Sequence, residues 1–135
     1  MTDRELYRLA EDARRFSYSP YSYFRVGAAL AASDDFGNEK IFTGCNVENS
    51  SYGGTICAER TAAVKAVSEG FTHFTAIAVA GGFADESAEE EADKDTYPCG
   101  ICLQFLSEFA EQNIRIIMKN RTSTLEDLMP NTFRL

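Results

Sequence analysis

The chain is 135 residues long with 44% hydrophobic and 25% charged residues, which suits one domain of 1–135 whose core needs no disulfide help. Its net charge of −8 is local, because between Asp85 and Asp95 seven acids stand against Lys94, a net of −6. Such a balance lacks the basic stripe that grips a phosphate backbone. No stretch approaches the ~18 apolar residues of a membrane span, and the charged start MTDRELYRLAEDARR has no secretory apolar region. A cytoplasmic protein without nucleic-acid or membrane partners is therefore expected.

Thr2 to Glu5 has the form of a capping box, and Leu6, Leu9, Ala10, Ala13 and Phe16 then share one face, predicting a helix over 3–16. A nearly continuous apolar run over 24–32 reads as a strand covered on both faces. The turn residues DDFGNEK return it as a second strand over 40–47, making a hairpin. NVENSSYGGT is a polar loop leading to a helix over 55–69 that stops at Gly70, with Ala58, Ala62, Ala63 and Ala66 as a small face able to lie close to a sheet. A buried strand over 74–80 precedes an acidic segment, 83–95, expected to be a solvated or disordered loop. A helix from PCGIC to about 110, a strand over 114–119 and a short helix over 124–129 complete the chain. Strands alternating with helices predict an α/β fold with helical layers around a mixed sheet, parallel in its later half.

The chemistry concentrates in two short stretches. TICAER sets Cys57 and Glu59 two residues apart at a predicted helix start, and PCGIC sets Cys99 and Cys102 three apart at another. Residues i and i+3 share a helix face, and a helix N-terminus favours thiolate over thiol. Three sulfurs can thus converge on Zn²⁺, one per chain, leaving its fourth tetrahedral position to water, as in a catalytic site. Glu59 would then serve as the base beside that water. Two readings compete with this one. The four cysteines could form two disulfides, although the spacing and the lack of a signal peptide favour metal. Cys45 could complete a closed, structural four-sulfur site, or simply be a small apolar residue at a strand end. His73, the single histidine, reads as structural.

The sequence resembles the small zinc-dependent cytidine deaminases of pyrimidine salvage. The resemblance is carried by SPYSYFRVGAAL, GCNVENSSYGGTICAERTAAVKAVSEG, PCGICLQFLSEF and LMPNTF, and by the ligand-x-Glu and PCxxC pattern of zinc deaminases. It implies a three-layer α-β-α sandwich, three cysteine ligands and a homotetramer with active sites at subunit contacts. Matched position by position, it makes Cys57, Cys99 and Cys102 the ligands and Glu59 the proton shuttle. It places Asn46 and Glu48 on the ribose hydroxyls, Phe24 against the pyrimidine, Ala58 in the nucleoside site, and Tyr52 and Phe133 in a neighbouring subunit's site.

Three thiolates over-neutralise Zn²⁺, so an arginine on the sulfurs would withdraw the excess charge. Arg60 is the candidate, with Gln104 as a further neighbour of the sulfurs or the water. The implied reaction is hydrolytic deamination of cytidine and deoxycytidine. The alternatives are another aminopyrimidine or aminopurine nucleoside, or a non-catalytic zinc module. Purine and polynucleotide deaminases of the superfamily typically place His where Cys57 stands. Leu103 stands where the family usually carries arginine, and the three residues RTS after Asn120 leave little room for the family's short last strand.

Overall fold

A computed structural model describes residues 1–83 and 94–135, so the expected acidic loop falls almost wholly outside the described residues. Five strands form one mixed sheet: β1 (Phe24–Ser33), β2 (Glu39–Cys45), β3 (His73–Phe83), β4 (Ala110–Ile117) and β5 (Thr122–Thr124), in spatial order β2-β1-β3-β4-β5. β1 runs antiparallel to both β2 and β3, β3 and β4 are parallel, and β5 closes the edge antiparallel to β4. Among the described residues four α-helices flank it: α1 (Asp3–Ala13), α2 (Ala58–Ser68), α3 (Gly100–Phe109) and α4 (Leu125–Leu128). On one face Leu6 and Ala10 of α1 pack on Ala29, Ala76, Ala78 and Ile117. On the other, Ala58, Ala62, Ala63 and Ala66 of α2 and Leu103 and Leu106 of α3 pack on Leu30, Phe42, Ile77, Val79 and Ile116. The result is a three-layer α-β-α sandwich, as expected. No helix among the described residues is long and apolar enough to cross a membrane.

The predicted elements are present with shifted ends. The capping box forms as predicted, with the Thr2 hydroxyl accepting from the Glu5 N–H at 3.1 Å and the Thr2 N–H donating to Glu5 at 2.8 Å. The α-helix stops at Ala13, and Arg14–Phe16 tighten into a 3-10 turn. The short last strand does form, as Thr122–Thr124, because three residues suffice to pair with Ile117, Ile116 and Arg115. Two glycines let the helices lie close. A Cβ at Gly27 would come within 2.0 Å of the Ala10 carbonyl oxygen, and one at Gly44 within 2.5 Å of the Ala62 nitrogen, so these positions bring α1 and α2 onto the sheet.

His73 ties three parts of this frame together. Its Nε2 lies 2.6 Å from Asp35, in the β1–β2 turn, and its Nδ1 lies 2.8 Å from Glu111 in β4. The hydrogen bond to Asp35, then the one to Glu111, raise the imidazole above its ordinary value of 6.5. A raised folded value means that the clamp contributes fully below about pH 6.5 and is lost as pH rises through the folded value. The melting-temperature gap between wild type and His73→Gln is therefore expected to be wider at pH 6 than at pH 9. An equal gap at both would remove the imidazolium from the account.

Candidate active site

The metal-binding stretch is built from two helix starts. Cys57 and Cys99 are the N-cap residues of α2 and α3, each in extended conformation with no side-chain cap. Their carbonyls accept the first helical N–H groups, from Thr61 at 3.0 Å and Leu103 at 2.9 Å. Their side chains therefore lie at the positive ends of two helices. Helix α2 begins at Ala58 and not at Thr55, because Ile56 pairs with Val47 in an isolated bridge with hydrogen bonds of 2.9 Å each way. That bridge holds Cys57 at the junction, where its sulfur faces α3.

The three sulfurs of Cys57, Cys99 and Cys102 lie within 4.8 Å of one another, with Cys57 and Cys99 3.8 Å apart. Tetrahedral Zn–S bonds of ~2.3 Å put two sulfurs about 3.8 Å apart, so the donor set fits zinc with no rearrangement of this pair. Cys45 is not in the cluster among the described residues; it ends β2, and burial pushes its thiol up. The four-sulfur alternative therefore fails, and all four cysteines are free thiols, which excludes the two-disulfide reading.

Proton sharing marks the cluster. Cys57 is drawn down to about 5, first by a hydrogen bond from Cys102 and then by those from Arg60 and Cys99. Cys102 is driven far above the ordinary thiol range by the same bond and by burial. A metal that takes all three sulfurs replaces these contacts among them. Arg60 places Nη2 3.5 Å from the Cys57 sulfur and 3.4 Å from the Thr55 carbonyl, while its Nε is buried without a partner among the described residues. Leu103 is buried in the core beside α2, so the position that would carry a second arginine contributes packing here.

Glu59 is 3% exposed at the first turn of α2. Burial, reinforced by the Cys57 thiolate, pushes its carboxyl up to about 7. It shares a cavity of about 140 Å³ with Cys57, Cys99, Ala58, Asn46, Val26, Thr55, Thr96 and Tyr97. A second hollow of about 310 Å³, lined by Tyr21, Ser22, Glu48, Tyr52 and Thr55, shares Thr55 with the first. A larger hollow of about 620 Å³ between α1 and the β4–β5 turn lies away from the sulfurs.

The predicted binding residues divide accordingly. Asn46 and Ala58 line the metal cavity, and Glu48 and Tyr52 the adjoining hollow. Most of the Asn46 amide is already engaged: its Oδ1 accepts from the Val26 N–H at 2.9 Å and from the Ser17 hydroxyl, and its Nδ2 donates to the Phe24 carbonyl at 2.8 Å. Glu48 accepts from the Tyr21 and Ser22 N–H groups at 2.9 and 3.1 Å. Burial raises its carboxyl, but the Ser22 hydroxyl and these two N–H groups outweigh that and hold it below the ordinary value.

Phe24, expected against the base, opens β1 and lines neither hollow; its ring turns edge-on to Phe83 at 5.1 Å. Phe133 is 66% exposed on the C-terminal tail. Gln104, expected near the sulfurs, instead donates to the Phe133 carbonyl at 3.0 Å, because its place on α3 faces the tail. Val26, Thr55, Thr96 and Tyr97 were not singled out from sequence. Thr96 and Tyr97 directly precede PCGIC, and that adjacency was the available signal.

An α-β-α sandwich that points two helix N-termini and a buried carboxylate at a three-thiol metal cage defines a zinc-dependent hydrolase of the deaminase class. The family described as "Cytidine and deoxycytidylate deaminase zinc-binding region" matches residues 1–118. The chain is 44% identical to "Probable cytidine deaminase" of Dictyostelium discoideum, over 92% of this chain and 78% of that protein. It is 39% identical to "Cytidine deaminase" of Sporosarcina psychrophila, over 92% of this chain and 85% of that one. The crystal structure of cytidine deaminase from Burkholderia pseudomallei superposes with a TM-score of 0.80 at 39% identity, covering 98% of this chain and all of that one. The chain belongs to the cytidine deaminase family.

Proposed function

We propose that this chain hydrolytically deaminates cytidine and 2′-deoxycytidine to uridine and 2′-deoxyuridine, releasing ammonia, with one Zn²⁺ per subunit held by Cys57, Cys99 and Cys102. The observation that carries the reading is that a buried carboxylate, Glu59, shares one cavity of about 140 Å³ with two of the three clustered cysteines. Bound there, zinc supplies the Lewis acidity that lets water act as a nucleophile near neutral pH.

Glu59 takes the proton of the attacking water and delivers it to ring N3. Once the C4–O bond has formed, the same carboxylate takes the proton of the new C4 hydroxyl and passes it to the amine, so that the C4–N bond breaks to release ammonia and leave the C4 carbonyl. Burial leaves it able both to accept and to donate near neutrality, as a shuttle must. Arg60 offsets the third thiolate through Cys57. Asn46 and the ionised Glu48 take the ribose hydroxyls, rejecting analogues that leave those groups unpaired, while Ala58 and Phe24 bound the base.

The same reading assigns 1–135 to one domain assembled as a homotetramer. Tyr52 and Phe133, 73% and 66% exposed, would complete a neighbouring subunit's site. Free thiols as ligands suit the reducing cytoplasm. The test is loss of cytidine absorbance with and without a zinc chelator, alongside deoxycytidine, cytosine, adenosine and guanine. Chelator-sensitive turnover of cytidine and deoxycytidine alone is expected; a zinc-loaded protein that turns over neither would overturn the proposal.

A further inference from the structure

Neither metal-bearing helix sets the third wall of the cavity. It comes from Thr96 and Tyr97, and the segment 95–97 is held from outside by the turn between β4 and β5. The Asn120 N–H donates to the Asp95 carboxylate at 2.6 Å. Arg121 Nη1 donates to the Tyr97 hydroxyl at 2.9 Å, with the guanidinium 5.8 Å from the ring centroid. The turn itself is closed by the Met118 N–H on the Arg121 carbonyl at 2.8 Å, and Met118 is buried. The anchors are therefore part of a paired hairpin at the sheet edge.

The inner side of the segment is seated as closely. A Cβ at Gly81 of β3 would come within 2.6 Å of the Thr96 hydroxyl oxygen and 3.0 Å of the Phe24 ring, so only a bare backbone lets Thr96 settle there. Pro98, buried with its φ restricted, follows at once and leads into Cys99. Tyr97 is thus constrained at its backbone by this seat and at its hydroxyl by Arg121, and it lines the cavity together with Glu59 and Cys99. A ring held at both ends loses the rotamer freedom that would let it swing away from a bulky ligand.

We infer that Tyr97, braced by Arg121, is a specificity-determining wall of the base pocket, closing it against substituents beside the reacting carbon and against a second fused ring. Arg121 is the positioning residue: it touches no substrate and acts through the phenol. A cavity of about 140 Å³ is small for a base with additional bulk, and a rigid aromatic wall keeps it so. The inference rests on the nucleoside deaminase reading above.

The test compares kcat/KM for cytidine, 5-methylcytidine and 5-bromocytidine in the zinc-loaded wild type, Tyr97→Ala, Arg121→Met and Arg121→Lys proteins. Wild type is expected to favour cytidine, and Tyr97→Ala to narrow its preference over 5-bromocytidine by about tenfold or more, the scale at which a pocket discriminates one small group. Arg121→Met should move the ratio the same way by less, through KM more than kcat, and Arg121→Lys should restore it, since an ammonium can still donate to the phenol. Arg121 is exposed, so its variants test the brace even if Tyr97→Ala does not fold. Cytidine turnover with an unchanged ratio in Tyr97→Ala, or in Arg121→Met if the former does not fold, would overturn the wall and leave the deaminase reading standing. A wild type inactive on every nucleoside would overturn both.

Discussion

Glu59→Gln is expected to bind a full complement of zinc and to lose turnover by a factor of about 10² to 10⁴ in kcat, the range a positioned acid–base group supplies. The amide keeps the volume and planarity of the carboxyl, so the cavity and the first turn of α2 stay as they are. It cannot accept and release a proton, and no other carboxylate lines the cavity among the described residues. The metal is unaffected because the sulfur cluster comprises Cys57, Cys99 and Cys102 without Glu59. Steady-state kinetics on cytidine, read beside zinc-to-protein stoichiometry, separate the two properties. A zinc-loaded Glu59→Gln protein with kcat close to that of wild type would show that the carboxyl does not move the proton.

Cys102→Ser is expected to abolish metal retention and turnover together and to lower the melting temperature. Cys102 is fully buried and sits one helical turn beyond Cys99, so its sulfur is the donor least able to be replaced by solvent. A serine hydroxyl there is a poor zinc ligand and a buried polar group short of partners. Because zinc joins α2 to α3, its binding free energy is also stability of that junction. Cys45→Ser is the matched control, expected to keep zinc and activity because Cys45 lies outside the sulfur cluster. If Cys45→Ser released the metal while Cys102→Ser held it, the ligand assignment would be reversed. These two measurements and the chelator assay address separate links: the proton, the cage, and the reaction that needs both.

Much of the site was legible because its signals are local. A three-residue interval on a helix puts Cys99 and Cys102 on one face whatever the rest of the chain does, and a ligand-x-Glu at another helix start is equally visible. The capping box at Thr2 and Glu5 formed as its residue types predict. The alanine face of α2 became close packing on the sheet. Less legible were features decided by partners distant in sequence. Helix α2 starts three residues later than its pattern implies because Val47 pairs with Ile56. β3 continues to Phe83, past the apolar run, because Phe24, Arg25 and Val26 of β1 pair with Phe83, Gly82 and Gly81. The Gln104 amide turns to the C-terminal tail, where the Phe133 carbonyl accepts its hydrogen bond.

By itself the sequence determined the chemistry available: three thiols and one carboxyl at two helix starts, since residue type and helical spacing are properties of short segments. Packing between distant segments sets the rest: Cys45 stays outside the cage, Glu59 is buried enough to hold a proton near neutrality, and Thr55, Thr96 and Tyr97 wall the cavity. Those outcomes depend on the distance between segments tens of residues apart, which is set by strand register and by the close approach at Gly27, Gly44 and Gly81. Desolvation, too, is a property of everything packed around a group and not of the group's neighbours along the chain.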